Sequence, residues 1–448
     1  MTAARRARAR RGLGLFPLIA ATYFMVSGGP YGLEDVVQKA GYGPALLILL
    51  ITPIIWSLPT ALMVGELSAA LPHDGGYYLW VQRAMGPFWG FQEAWLSLVA
   101  SIFDMAIYPT LFVLYLGKLV PALGFGRWGV LVGALMIAIC AVWNISGAKA
   151  VGNGAAVMLV SVLIPFAAIS IYALVRAAPA GGTWHNAEPD LVGGILVAMW
   201  NYMGWDNAST IAGEVRNPQR TYPLAMLGTV ALIAASYTIP IAAMAHAGLD
   251  PSAWSTGSWV DVAGTLAGRG FALAVVAGGM VCGFGMFNAL VLSYSRVPAA
   301  MAENGFLPAI FARRNCKSAP WVSIVVCAAA WTACLTLGFE RLIELDILLY
   351  GFSLLLEFAA LFVLRLKEPS LNRPFKVPGG LAGAALAGVG PAAVLGLALV
   401  RGHSEHAGPI SAMTLGAILI AAGVLLYLIG RARATPAAKP VEVPETPV

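Results

Sequence analysis

The chain is poor in charge and in cysteine. Only 11% of its 448 residues are Asp, Glu, Lys or Arg, against 59% hydrophobic, and the mean hydropathy is +0.79. A disordered polyelectrolyte and an ordinary soluble domain both need far more charge, so both are excluded. The five cysteines (Cys140, Cys282, Cys316, Cys327, Cys334) are odd in number, scattered and mostly within apolar runs, with no CxxC pair. They argue against a disulfide framework and against a metal site. The five histidines (His73, His185, His246, His403, His406) fall in loops or at the ends of apolar runs with no HExxH, and no GxxxxGK[ST] occurs. A membrane enzyme and a P-loop site therefore both lack their sequence basis, and no cofactor is expected.

What is present is apolar length. Twelve candidate spans recur, at 14–40, 44–69, 87–119, 127–146, 153–178, 191–214, 222–247, 268–299, 320–339, 342–366, 379–400 and 409–430. About 20 such residues cross about 30 Å of hydrocarbon, so the reading is an all-α polytopic membrane protein in a lipid bilayer with no soluble domain between spans. Arg5, Arg6, Arg8, Arg10 and Arg11 precede the first span, and an even span count puts both termini on one side. The positive-inside rule makes that side cytoplasmic, in the plasma (inner) membrane, and most of the 27 Lys and Arg then lie inside. The pI of 9.1 thus reflects orientation rather than a nucleic-acid partner. The arginine-rich start leads into Gly-Gly-Pro without a small-residue cleavage site, so a retained first span is expected. The Pro/Ala-rich tail 431–448 reads as disordered.

Two spans spoil their own helices. The first contains MVSGGPYGLEDVV (25–37), where Gly28, Gly29 and Gly32 admit unwound backbone and Pro30 has no N–H to donate. Five spans later, MWNYMGWDNAST (199–210) places Gly204 beside Asn201 and Asp206. A single break of this kind is as well explained by a packing kink. Two at corresponding positions of two five-helix halves, each followed by an acid, point to an inverted-repeat carrier with its site between the breaks, because irregular backbone survives at membrane depth only where it is buried or lines a cavity.

At these residues the chain resembles the amino acid/polyamine/organocation transporter superfamily, and within it the polyamine-uptake (polyamine:proton symporter) branch related to L-type amino acid transporters. GELSAALPHDGGYYLWV and GEVRNPQRTYP carry the superfamily resemblance, with SRVPAAMAENGFLP (295–308) beside them; GGPYGLED, FDMAIYP and LLEFAA point to the branch. The resemblance implies a LeuT-like fold: helices 1–5 over 14–178, helices 6–10 over 191–366 as an inverted repeat, and two peripheral helices over 379–430. It also implies alternating access and proton symport. By the same resemblance Trp200 holds the gating-aromatic position, and the segment 71–86 is the amphipathic piece that plugs the inward path.

The residues themselves select among substrates. Amino-acid carriers of the superfamily hold a carboxylate on free amides of a Gly-small-Gly break; here Pro30 removes one donor. Intramembrane acids are numerous (Glu34, Asp35, Glu66, Glu93, Asp104, Asp206, Glu214, Asp346, Glu357), while basic residues within the spans are nearly absent. Such acids must bind protons, a coupling ion or a cationic substrate. Glu93, Ser97, Asp104 and Tyr108 share one helical stripe, and Asp346, Tyr350, Ser353 and Glu357 another; each acid pair is separated by about 16 Å. Acids at two depths suit a linear molecule with amines at both ends. Tyr31, Tyr108, Trp200, Tyr202, Trp205, Tyr294 and Tyr350 are available for cation–π contacts, although any one of them taken alone is better explained as core or interface filler.

The expected substrate site therefore comprises Gly28, Gly29, Pro30, Tyr31, Asp104, Tyr108, Trp200, Tyr202, Trp205, Asp206, Tyr350 and Glu357. Gating falls to Trp200, Glu34, Asp35, Glu66 and Glu214. Glu34 and Asp35 serve either outer recruitment or a local cap, Glu66 and Glu214 face basic loops as salt bridges, and Glu93 makes a structural hydrogen bond. The expected activity is secondary, proton-coupled import of putrescine- or spermidine-like cations. The alternatives are a cationic or neutral amino acid on the same fold, since Gly28 and Gly29 still offer amides, and a nutrient sensor that binds without turnover.

Overall fold

The computed structural model describes residues 12–176, 188–335, 339–402, 406–407 and 410–433. The arginine-rich start and the far C-terminal tail lie outside the described residues. Almost everything described is helix: α1 (Leu15–Val26), α2 (Glu34–Ala40), α3 (Tyr42–Ala70), α4 (Gly76–Met85), α5 (Pro87–Leu119), α6 (Gly126–Ile145), α7 (Ala148–Arg176), α8 (Leu191–Asn201), α9 (Pro218–His246), α10 (Trp259–Ala267), α11 (Arg269–Tyr294), α12 (Arg296–Glu303), α13 (Trp321–Ala333), α14 (Phe339–Lys367), α15 (Gly380–Ala387), α16 (Val389–Gly402) and α17 (Ala412–Arg433). The only strands among the described residues are the two-residue pair His406–Ala407 and Ile410–Ser411.

Element ends follow local chemistry. α5 starts where Gly86, at φ 95°, turns the chain into Pro87, whose missing N–H costs nothing in the first turn. α9 likewise begins with Pro218 after Asn217 in the left-handed region. α8 is capped by Asp190, whose Oδ1 accepts the Gly193 N–H at 2.9 Å. Inside α3 the run Pro53–Ser57 is π-helical, next to two prolines that withdraw donors from the ladder.

Among the described residues, eight helical stretches are long and apolar enough to cross a membrane. The first and sixth expected spans are not among them, because each is interrupted, and the ninth and twelfth appear only as the shorter apolar helices Trp321–Ala333 and Thr414–Gly430. α1 stops at Val26, seven non-helical residues follow, and α2 resumes at Glu34. α8 stops at Asn201, and the rest of that span is 3-10 helix (Trp205–Thr210, Ala212–Glu214) rather than α-helix. The span expected at 379–400 is also divided, at Gly388.

α5 packs against both α11 and α14 at the centre, and α1 and the 205–210 segment pack against α11 and against each other. The apolar stretch of Arg269–Glu303 is 78% buried, whereas those of α6 and α7 are only 39% and 33% buried. The outward faces of α6 and α7 expose Leu135, Val142, Val157 and Val175, the outside-apolar surface of helices bathed in lipid. Gly12 and Leu13 are pinned to the end of the second break: Leu13 bridges Val215, and the Gly12 N–H donates to the Glu214 carbonyl at 2.9 Å.

Candidate functional site

The two breaks touch. Gly204 sits at φ 94°, and a Cβ on it would stand 2.3 Å from the main-chain oxygen of Met25, at the end of α1. Only glycine allows that approach. Asn201 Nδ2 lies 3.4 Å from the Gly32 carbonyl, and a Cβ on Gly32 would stand 3.6 Å from the half-buried Trp200 ring.

Unwinding frees backbone groups that water cannot reach, and each costs several kcal/mol if left alone in hydrocarbon. Here side chains take them up. At the second break the Asn201 carbonyl accepts from Tyr237 Oη (2.7 Å), the Tyr202 carbonyl from the indoles of Trp205 (2.8 Å) and Trp56 (3.1 Å), and the Ala208 carbonyl from Tyr222 Oη (2.7 Å). The Gly204 N–H donates to Tyr350 Oη at 2.9 Å. At the first break Trp259 Nε1 donates to the Pro30 carbonyl (2.9 Å), while the Gly29 N–H is taken by Ser27 Oγ (3.1 Å) and the Gly32 N–H by Glu34 Oε2 (2.6 Å). A carboxylate of the chain thus already occupies an amide of the first break.

Several expected site residues are part of this scaffold. Tyr31 donates to the Val275 carbonyl at 2.6 Å and packs edge-on against Tyr115 and Phe166. Tyr202 donates to the Leu49 carbonyl at 2.9 Å and leans on Tyr237. Both, with Trp205, spend their polar atoms on main chain. Gly28 is a close-approach glycine, since a Cβ there would stand 2.1 Å from Cys282 Sγ.

The acids gather elsewhere, where α5 and α14 meet the second break. Asp104 accepts from Tyr108 of its own helix and, at 3.4 Å, from Tyr294 of α11. Asp206 accepts from Tyr350, the same hydroxyl that receives the Gly204 N–H, so one tyrosine links the break to the acid. Glu93 Oε1 accepts from Ser353 of α14 and from Ser97 at 3.3 Å. Glu357, with no exposed surface, has no hydrogen-bond partner for either oxygen among the described residues, nor does Glu93 Oε2. Asp346 is also buried. None of these five acids forms an ion pair among the described residues.

The other acids behave differently. Glu34, at the start of α2, accepts the Gly32 N–H with one oxygen and the Gly257 N–H (3.1 Å) with the other. It ties the first break to the loop before α10 and acts there as a local cap. Asp35 accepts from Thr256 Oγ1 at 3.0 Å. Glu66 is fully buried between Arg365 and Arg373 and accepts the Val377 N–H at 2.7 Å. Glu214 pairs with Arg296 at 2.8 Å, and Asp74 with Arg314 at 2.9 Å. The near-absence of internal cations expected from the sequence is therefore corrected at two places, where Arg296 and Arg365 enter the protein to meet Glu214 and Glu66. Outside the spans Arg83 bonds Glu368 at 2.7 Å and holds its carboxyl below the usual glutamate range.

Tyr77 of α4 gives no particular signal in the sequence. Its ring is fully buried, its N–H donates to Ser209 Oγ at 3.1 Å beside the second break, and its hydroxyl has no partner among the described residues.

Two facing unwound helices and a set of buried acids without ion pairs among the described residues lie inside a multi-pass membrane protein. Comparison with known proteins gives the family: the amino acid permease model matches residues 17–432, and the chain belongs to that family. Polyamine transporter PUT1 of Oryza sativa subsp. japonica is 35% identical over 91% of this chain and 76% of its own length. Polyamine transporter RMV1 of Arabidopsis thaliana is 33% identical over 91% of this chain and 83% of its own length. The serine/threonine exchanger SteT of Bacillus subtilis (strain 168) is 29% identical over 72% of this chain and 76% of its own length.

Proposed function

We propose that this protein is a secondary carrier that imports polyamines across the plasma (inner) membrane by alternating access, with both termini cytoplasmic. The observation that carries the reading is the contrast between the two kinds of site group. Five buried acids (Glu93, Asp104, Asp206, Asp346, Glu357) have no cation among the described residues, whereas two amides of the first break, at Gly29 and Gly32, are already held by Ser27 and Glu34. A site of that composition attracts ammonium groups and offers little to a carboxylate. The names of the two plant relatives support the same substrate class.

In this reading Asp104, Asp206 and Glu357 bind the amines, Tyr108 and Tyr350 hold the two aspartates in place, and Trp200, at the second break, closes over the substrate. The breaks belong to two inverted five-helix repeats, 14–178 and 191–366, with 379–430 peripheral. Glu34 and Asp35 hold the outer loop, while Glu66, Glu214 and the segment 71–86 seal the inner end. Import of a polycation is favoured by about 2.3 kcal/mol per charge per 100 mV of inside-negative potential, and a buried acid without a resident cation is the natural carrier of a symported proton.

A second reading, an amino-acid carrier, draws on SteT and on Gly28. Transport of labelled putrescine by Asp104→Asn, Asp206→Asn and Glu357→Gln decides for or against the acidic site. Uptake should fall at least tenfold in each while the protein remains folded; wild-type uptake by all three would refute the assignment.

A further inference from the structure

The inner end of the acid array has an open chemistry of its own. Glu93 lies on α5 one helical stripe inward of Asp104, and Glu357 lies on α14 in the same relation to Asp346, so the acids form two layers about 16 Å apart along the helices. Asp206 stands in electrostatic reach of both layers. The outer layer has tyrosine partners at Asp104. The inner layer does not: both oxygens of Glu357, Oε2 of Glu93 and the hydroxyl of Tyr77 are all fully buried and unpartnered among the described residues. Glu93 accepts from Ser353, one helical turn before Glu357 on the same face of α14, so the two carboxyls are neighbours, within electrostatic reach of Asp206 and of Tyr77, whose hydroxyl lies beside Ser97. Buried polar atoms without partners cost about 1–3 kcal/mol each, more when charged, and native proteins keep them where a ligand or ion satisfies them.

We infer that Glu93 and Glu357, closed from below by Tyr77, form a second ammonium subsite that takes the leading amine of a long polyamine, so that the substrate lies lengthwise between the two acid layers. The inference rests on the polyamine reading and adds to it a length preference. Single bonds of about 1.5 Å advance roughly 1.25 Å each along an extended chain, so the end nitrogens stand about 6 Å apart in putrescine, about 11 Å in spermidine and about 16 Å in spermine. Only the longest spans both layers, with its inner nitrogens left for Asp206. Glu93, which is otherwise a structural hydrogen-bond acceptor, becomes a specificity residue, because Ser97 and Ser353 engage one oxygen and leave the other without a partner among the described residues.

The test is competition against labelled spermidine uptake in proteoliposomes by putrescine, spermine and spermine acetylated at one end, which keeps the length but removes a terminal charge. For the wild type, acetylation should raise the inhibition constant at least tenfold. In Glu93→Gln and Glu357→Gln that penalty should shrink to under about threefold, and in Glu93→Gln, which leaves the three acids assigned to putrescine intact, the preference for spermine over putrescine should fall by about tenfold, as expected from loss of a charge-assisted contact worth about 1.4 kcal/mol or more. The wild-type comparison needs no variant, so it stands even if Glu357→Gln fails to fold. An acetylated end tolerated by the wild type, or an acetylation penalty unchanged in both variants, overturns the inner subsite while leaving polyamine transport in place. If no polyamine is taken up or competes at all, the functional reading itself falls and the subsite with it.

Discussion

Replacing Glu66 by Gln removes one negative charge from between two buried cations. Glu66 has no exposed surface, and the side chains of Arg365 and Arg373 are only 10% and 3% exposed. Its oxygens accept from Arg365 Nε at 3.0 Å, from the same guanidinium's Nη2, and from the Val377 N–H at 2.7 Å. A Gln keeps one acceptor but turns its NH2 toward a donor, either an arginine or the Val377 amide. Removing one partner of a buried ion pair costs about 3–5 kcal/mol, chiefly because the other charge stays buried. The two arginines are held in place by further bonds, Arg365 to the Val377 carbonyl (2.9 Å) and Arg373 to the Leu364 carbonyl (2.9 Å), so neither escapes cheaply to water. With about 2.1 cal/mol/K of unfolding entropy per residue, a chain of 448 residues loses roughly 1 °C of melting temperature per kcal/mol. Glu66→Gln should therefore melt about 3–5 °C below the wild type in the same detergent and salt. Proteolysis should begin in the segment 368–378, which Glu66 ties to α3. A melting temperature within about 1 °C of wild type, with that segment still protected, would show that Glu66 is not the anchor.

Gly204→Ala should abolish folded yield, since it combines a left-handed φ with a Cβ only 2.3 Å from the Met25 oxygen. Gly86→Ala has a nearly identical φ of 95° but nothing within 4 Å, and should cost only the backbone strain of about 1 kcal/mol; equal yields would deny the contact between the breaks. Pro30→Gly restores a backbone donor to the first break and should let leucine compete for the site; unchanged rejection of leucine would acquit Pro30 as discriminator. The Arg83–Glu368 pair lowers the folded carboxyl below its unfolded value of about 4.3, so its contribution is present above that value and lost as pH falls through the folded one. Both side chains are nearly a third exposed, so the effect should stay under about 1 kcal/mol. The melting difference between wild type and Glu368→Gln should accordingly shrink as the pH falls below about 4.3; a difference that grows on acidification would contradict the pairing.

Both breaks were legible because glycine and proline announce them within a few residues, and the acids because a charge is conspicuous in an apolar run. What repairs the breaks was not legible. Trp259 reaches Pro30 across 229 residues and Trp56 reaches Tyr202 across 146, and no local pattern distinguishes these tryptophans from others. The 3-10 form of 205–210 was missed for a related reason. Asp, Asn, Ser and Thr in WDNAST only weakly disfavour α-helix, and the outcome is decided by local bonds such as Thr210 Oγ1 to the Asn207 carbonyl and by Tyr222 from α9. The pairing of Glu66 and Glu214 with basic residues was expected from their places beside basic loops. Their partners, Arg365 and Arg296, were not identifiable, because both lie within apolar spans and a snorkelling arginine there reads the same as an inward one.

Proton-coupled polyamine import is tested most directly by uptake of labelled putrescine into proteoliposomes, with and without an imposed inward proton gradient, in competition with spermidine, arginine and leucine. Gradient-stimulated uptake that spermidine blocks and leucine does not is the expected result. Transport of leucine or arginine with no putrescine uptake would contradict it, and would mean that the unwound stretch at 28–32 still receives a carboxylate.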